Sequence, residues 1–469
     1  MEKRIGSCTT ILVGKKASLD GSTLIARNED AFGQPNPQKF VVITPDQQPN
    51  IFHSVVTNID IPLPDNPLRY TATPDSDDSE GVWGASGINS ANVAMTATET
   101  ITTNIRVQSI DPFVENGIGE ADLLTIVLPY IHSAKEGVLR LGSLLKKYGT
   151  YEPNAIAFSD KNEIWYLETL GGHHWAAIKI PDASYVVAPN RLNIDNFDFN
   201  SSDTLYSDDL PDMIEKYQLN PDFEGVNLRH IFGSSSEKDT IYNNPRAWYI
   251  QKHFNPSISD KISPEDQDLP FICYPEKKIS IEDIKWALSS HFQNTPFDPY
   301  GNGTKIEKKL YRPIGINRNQ EAHILQIRSN VPDEIAGIHW LAFGPNTFNA
   351  MVPFYTMIEE TPAIYNSAVH EFDPTTVYWL TRVVAVIGDA NYHLYSDLVN
   401  DYELKTMAAC KQLHYAIDDK ALTHQMTIAE LEEANQKMAN ISLENLKKLL
   451  YEMVQVGTLN MNLRFTLND

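Results

Sequence analysis

The sequence is poor in cysteine. It holds 3 in 469 residues, Cys8, Cys273 and Cys410. The number is odd and no Cys-x-x-Cys occurs, which excludes a disulfide framework and a zinc knuckle. A run of about 18 apolar residues is also missing, so no membrane span is expected. Met1–Ser7 is too short and too polar for a secretory signal. A cytoplasmic location is the expectation. There is no His-Glu-x-x-His. His173 and His174 are neighbours on an expected strand, where adjacent side chains point to opposite faces, so they do not make a metal pair. Neither a metal nor a cofactor is expected. Repeats and low-complexity segments are absent. Cations are in the minority, and a net charge of −23 repels nucleic acid and anionic membrane at long range. Neither is an expected partner.

What is present suits a large folded chain. Hydrophobic residues make up 42% and aromatics 10%, which argues against disorder. The length allows two or three domains, or one large domain with additions. Strands are expected at Thr9–Val13, Ser22–Ala26 and Lys39–Ile43. Pro45–Pro74, rich in Pro, Asp and Asn, reads as surface loop. Gly81–Ser86 and Asn92–Glu99 read as strands around a Gly87-Ile-Asn-Ser-Ala turn. Glu120–Leu128 has helical spacing, with a stop at Pro129. Ser133 and Glu136 have capping-box spacing for a helix that reaches Gly149.

Four strands follow, Ala155–Ser159, Ile164–Thr169, His174–Ile180 and Tyr185–Ala188, expected as one antiparallel meander. Leu192–Pro270 is polar and irregular around one helix at Pro245–His253, with Pro245 suited to a first helical turn. A helix at Ser280–His291 precedes strands at Ala322–Ser329, Ile338–Phe343 and Ala350–Tyr355. Thr375–Ala390 and Tyr392–Lys411 are helical. Thr427 and Glu430 have capping-box spacing for a long amphipathic segment ending near Gly457. That segment serves to cover the core or to make a subunit contact in a homo-oligomer. The order suggests two antiparallel sheets with helices outside them.

The chemistry concentrates at the start. Cys8 opens the first strand, and Arg27, Asn28 and Asp30 leave the second. A hairpin brings its outer ends together, so a thiol, a guanidinium and a carboxylate can share a site. A thiolate near neutral pH needs a base and a nearby cation. The seven-residue prefix ends in Gly6-Ser7. Its removal would give Cys8 a free α-amine, whose pKa of about 7.7–8.0 suits a base for its own thiol. Read singly, each of these residues has a plainer role. Cys8 would be a buried thiol, and Arg27 with Asp30 a surface ion pair. Asn190 would be a turn residue, Arg246 a charge at a helix start and Glu99 a solvated acid at a strand end.

Taken together, the blocks resemble peptidase family C69 dipeptidases of the dipeptidase A type. They are Cys8-Thr-Thr-Ile-Leu-Val-Gly and Ala26-Arg-Asn-Glu-Asp, then Trp83-Gly-Ala-Ser-Gly-Ile-Asn-Ser-Ala-Asn-Val-Ala-Met-Thr-Ala-Thr-Glu-Thr. Asp111-Pro-Phe, Gly119-Glu120, Leu167-Glu-Thr-Leu-Gly-Gly-His-His-Trp, Pro189-Asn-Arg-Leu-Asn-Ile-Asp, Tyr242-Asn-Asn-Pro-Arg-Ala-Trp and Val352-Pro-Phe-Tyr follow. Such proteins are similar to the N-terminal-nucleophile (Ntn) hydrolases and, more distantly, to bile salt hydrolases and penicillin V acylases.

The resemblance implies an α+β fold, a four-layer αββα sandwich of two antiparallel sheets, with a C-terminal helical segment added. Residues 1–7 would be a propeptide, 8–400 the Ntn domain and 401–469 a helical extension packed on it. The implied reaction is amide hydrolysis through a thioester. Cys8 matches the nucleophile. Arg27 and Asp30 match the pair that flanks the thiol and holds the new α-amine. Asn190 matches the oxyanion-hole asparagine, and Arg246 a later active-site arginine. Where the amidase relatives usually have Asn or Tyr, this chain has Glu99, an acid suited to a substrate ammonium. The expected substrates are dipeptides. An amidase for N-acyl amino acids or bile-salt-like conjugates is the alternative enzyme, and an acidic binding protein the alternative without catalysis.

Overall fold

The computed structural model describes residues 8–31, 36–79 and 81–463, and only the backbone of Thr98 and Glu99. The expected propeptide, Met1–Ser7, lies outside the described residues.

Two antiparallel sheets carry the fold. The first has seven strands. From one edge to the other they are Ile272–Cys273, Tyr185–Ala188, Thr9–Val13 (β1), Thr23–Asp30 (β2), Asn319–Ile327, Gly337–Phe343 and Val352–Tyr355. The second has six, in the order Thr204–Tyr206, Trp175–Ile180, Ile164–Thr169, Asn154–Ser159, Ala94–Thr100 and Ser86–Ile88. Side-chain alternation separates the faces. Leu12 and Ile25 point into a core shared with Ala155, Tyr166 and Ile178 of the other sheet. Ile11, Val13, Leu24 and Ala26 point the other way, into a core shared with helices Asn244–Phe254, Ile281–Ser289 and Val377–Ala390. Beyond the second sheet, helices Glu120–Val127 and Ala134–Tyr148 pack on Met95, Ile156 and Leu167. Helices thus lie outside both sheets, as the order of elements suggested.

The long C-terminal helices belong to the first outer core. Ile428–Leu459 buries Leu431, Ala434, Met438, Leu446, Leu449 and Met453 there. Its N-cap is Thr427, whose hydroxyl accepts the Glu430 N–H, as the capping-box spacing requires. The segment therefore covers its own core. Helix Tyr392–Ala421 runs without a break through residue 400. No helix of the described residues is long and apolar enough to cross a membrane.

Expectations change in the segment Leu192–Pro270, which holds a strand at Thr204–Tyr206 and helices at Leu210–Lys216 and Leu228–Phe232 besides its one expected helix, and at four other places. First, β2 is longer than Ser22–Ala26 and runs to Asp30, because strands lie on both sides of it. Arg27, Asn28 and Asp30 are therefore strand residues. Second, Tyr185–Ala188 does not continue the meander. After Pro181-Asp182 the chain crosses to the first sheet and pairs with β1, Thr10 opposite Ala188. Third, Pro45–Pro74 contains short strands at Ile51–His53, Asp60–Pro62 and Tyr70–Ala72. Each is three residues long, too short for periodicity to stand out among Pro and Asp. Fourth, the strand expected at Gly81–Ser86 is Ser86–Ile88. Trp83 and Ala85 have φ of 50° and 49°, which breaks extension before Ser86. The turn lies later, with Asn92 at φ 56°.

Candidate active site

The start of β1 meets the end of β2. Thr9 lies opposite Asn28 and Thr10 opposite Arg27. One more step of that register puts Cys8 opposite Glu29. Alternation turns Cys8 to the same face as Thr10 and Leu12, between the sheets. Arg27 faces the same way. Its Nη1 donates to Cys8 Sγ at 3.1 Å and its Nε to Thr96 Oγ1 at 3.0 Å. Its Nη2 donates to the carbonyls of Ala97 and Ala85, at 2.8 and 3.3 Å. Both Cys8 and Arg27 are fully buried. The hairpin brings thiol and guanidinium together as expected.

The carboxylate that joins them is Glu29, two residues from Arg27 on the same face. Glu29 Oε2 lies 2.5 Å from Arg27 Nη1. Glu120, first residue of helix Glu120–Val127, puts Oε1 at 3.9 Å from the same nitrogen. Burial alone would lower the Arg27 pKa. Glu29, the Cys8 thiol, Glu120 and Glu321 outweigh it and hold the guanidinium charged. Burial pushes the Glu29 carboxyl up to about 7 against the pull of Arg27, with Glu321 and Asp30 adding to the rise. Cys8 Sγ and oxygens of Glu29 and Glu120 all lie within 4.8 Å of one another. One thiol and two carboxylates are a donor set that could hold a metal ion. Here the cation among them is Arg27.

Asp30 turns to the opposite face of β2. It forms an ion pair with Arg312 and accepts from Asn319 Nδ2 at 3.2 Å. The Arg312 guanidinium lies 5.3 Å from the Tyr242 ring centroid. Arg246 lies 5.2 Å from the same ring. Arg246 donates to the Cys8 carbonyl oxygen, and to Thr9 Oγ1 at 2.8 Å. Its Nη2 donates to Asn190 Oδ1 and Asn243 Oδ1, each at 2.8 Å. Asn190 stands two residues beyond strand Tyr185–Ala188 and donates through Nδ2 to the Thr100 carbonyl at 3.0 Å. That amide nitrogen has a second hydrogen. The structure thus links Cys8, Arg246 and Asn190 directly. Glu99 lies on strand Ala94–Thr100, opposite Ala155 beside a bulge, and its side chain lies outside the described residues.

Sequence reasoning assigned no role to Glu29, Glu120, Thr96, His323, Glu321, Arg312 or Tyr242. Period-2 alternation carried a signal for Glu29. The others come from separate elements and have no local one. His323 Nε2 lies 2.8 Å from Thr96 Oγ1 and its Nδ1 2.7 Å from Glu321 Oε1. Burial and then Arg27 hold the His323 pKa well below its ordinary value. Burial pushes Glu321 from 4.5 to about 8, against Arg27. A protonated Glu321 then donates to Nδ1, and Nε2–H donates to Thr96.

This has a sign that can be tested. The folded protein binds the Glu321 proton more tightly than the unfolded chain does. The resulting stability is fully present below 4.5 and is lost as pH rises through about 8. Glutamine keeps its hydrogens at every pH. Glu321→Gln is therefore expected to gain on the wild type as pH rises across that window. Urea midpoints at its two ends measure the difference, and a constant difference would contradict the protonated Glu321.

Comparison with known proteins gives the family. The profile of Peptidase family C69 matches residues 7–405. The chain is 57% identical to a protein of Lactococcus lactis subsp. lactis (strain IL1403) named "Probable dipeptidase B", over 100% of this chain and 99% of that one. It is 53% identical to "Dipeptidase A" of Lactobacillus helveticus, covering 98% and 99%. It is 46% identical to a "Dipeptidase" of Bifidobacterium longum (strain NCC 2705), covering 93% and 87%. The family match begins one residue before the buried thiol and runs past every strand of both sheets, and the chain belongs to peptidase family C69.

Proposed function

We propose that the chain is a cysteine dipeptidase whose nucleophile is Cys8. The observation that carries this is the Arg27 guanidinium donating to Cys8 Sγ at 3.1 Å in a buried site, the cation a thiolate needs. Relatives named dipeptidases along nearly their whole length support the substrate class. The two sheets with helices outside them support an Ntn-hydrolase αββα sandwich over 8–400, with 401–469 an extension packed on it. In this reading Met1–Ser7 is removed and the Cys8 α-amine becomes the base. Asp30, fixed by Arg312 and Asn319 at the end of β2, holds that amine.

The α-amine takes the thiol proton and the thiolate attacks the peptide carbonyl carbon, forming a C–S bond. The second Asn190 N–H and backbone amides meet the oxyanion. Arg246 holds the Asn190 side chain by its oxygen. The C–N bond breaks as the α-ammonium gives its proton to the leaving amine. Water then attacks the thioester while the α-amine takes its proton. The acid leaves, and that proton restores the thiol. The resemblance offers Glu99 as one acid suited to the substrate ammonium, and in this reading the enzyme works in the cytoplasm, where thiols stay reduced.

The test compares hydrolysis of a dipeptide with that of its N-acetyl form, together with the intact mass of the purified protein. Cleavage of the free dipeptide, and a mass lacking Met1–Ser7, are expected. Preference for the N-acetyl form would replace the dipeptidase with an amidase for N-acyl amino acids.

A further inference from the structure

We infer that Glu120, standing beside Glu29, receives the free α-ammonium of the dipeptide. This rests on the dipeptidase reading and adds a residue to it. In a dipeptide the free nitrogen is one Cα away from the scissile carbonyl carbon, about 2.5 Å from standard bond lengths and angle. A nucleophile in attack position lies about 3–3.5 Å from that carbon. The ammonium is therefore no more than about 6 Å from the thiol sulfur. A carboxylate that recognises a dipeptide by its amino end must stand within about 9 Å of the sulfur, one hydrogen bond beyond the ammonium. Among the described residues, Glu29 and Glu120 do so, each with an oxygen within 4.8 Å of Cys8 Sγ.

The two differ in attachment. Glu29 sits on the strand that carries Arg27 and is bound to it at 2.5 Å. Glu120 comes from the second sheet's side of the site, and its oxygen is 3.9 Å from Arg27. Its place is fixed. The Glu120 N–H donates to Glu152 Oε1 at 3.0 Å. Gly119 lets the helix start lie against Tyr151, since a Cβ there would be 1.8 Å from the ring. An acid in a first helical turn is also favoured as the anion.

A second, independent observation ties Glu120 to the reacting carbonyl. Thr100 Oγ1 donates to Glu120 Oε2 at 3.4 Å, and the Thr100 carbonyl accepts from Asn190 Nδ2 at 3.0 Å. One residue thus spaces the ammonium acceptor from the oxyanion donor. In the substrate, the nitrogen and the carbonyl oxygen have an equally fixed spacing.

The experiment measures, in one preparation of each protein, kcat/KM for a dipeptide and for its desamino analogue, which lacks only the amine. The ratio cancels any difference in folded fraction. In Glu120→Gln the ratio is expected to fall roughly 10- to 100-fold, the usual loss when a hydrogen bond to a charged group is removed. The fall should come chiefly through KM for the dipeptide. Glu120→Asp, which keeps the charge, should restore part of it. A ratio unchanged in Glu120→Gln overturns the assignment, as does a ratio that collapses only in Glu99→Gln. Failure of the dipeptidase reading shows differently, as a wild-type protein that cleaves neither compound or a Cys8→Ala variant that cleaves both.

Discussion

Cys8→Ala is expected to abolish dipeptide hydrolysis, by roughly the 10^6-fold that loss of a nucleophile costs in hydrolases, and to leave the fold intact. The variant removes one sulfur from a site whose other bonds persist. Arg27 keeps Thr96, Ala85, Ala97 and Glu29. Arg246 keeps the Cys8 carbonyl, which alanine also supplies. The stability cost should be about 1 kcal/mol, as for most point changes. Alkylation of the wild type with iodoacetamide is the companion measurement. Burial pushes both Cys273 and Cys410 up to about 12, so neither offers much thiolate at neutral pH. A single adduct at Cys8 that tracks loss of activity is expected. Full activity in Cys8→Ala would refute the mechanism.

Arg27→Met should be the most damaging change to the fold among the site residues. A guanidinium with no exposure is removed while Glu29, Glu120 and Glu321 remain around the space it leaves. Breaking a buried pair from one side costs about 3–5 kcal/mol. The loss has a pH dependence with a definite sign. Without Arg27, the pull that lowers the Glu29 and Glu321 pKa values disappears. Their folded-state values then rise further above the unfolded ones. The deficit must be smaller in acid, where these carboxyls are protonated in both states, and larger as pH rises. Urea unfolding of both proteins across pH measures this. A deficit that does not vary with pH would mean lost packing rather than lost charge. Lysine should not rescue the site, because one ammonium cannot reach Thr96, Cys8 and the two carbonyls in their separate directions.

Legibility followed the distance over which each signal acts. The β1 strand and helices Ala134–Tyr148 and Ile428–Leu459 were readable because local alternation, caps and periodicity specify them. Cys8 and Arg27 were readable as partners because a hairpin joins them through local chain. The crossing of Tyr185–Ala188 into the first sheet was not readable. Its residues suit a buried strand in either sheet, and only the vacant edge of β1 decides which one takes it.

The amino-acid order by itself determined a thiol-bearing hairpin, two sets of antiparallel strands with helices among them, and an extended match to a family of peptidases. It did so because strand period, caps and motif spacing are properties of neighbouring residues. The tertiary structure decided which carboxylate stands by the thiol, because β2 had to extend past Ala26 for alternation to reach Glu29. Asp30 and Glu29 are adjacent in the chain, and both are buried or nearly so. Alternation along β2, extended by the strand at Asn319–Ile327, turns Glu29 toward Cys8 and Asp30 toward Arg312. It also placed Glu120, remote in sequence, within 4.8 Å of the sulfur. A group's place in the chain sets its chemistry, and the packing of two sheets sets what it faces.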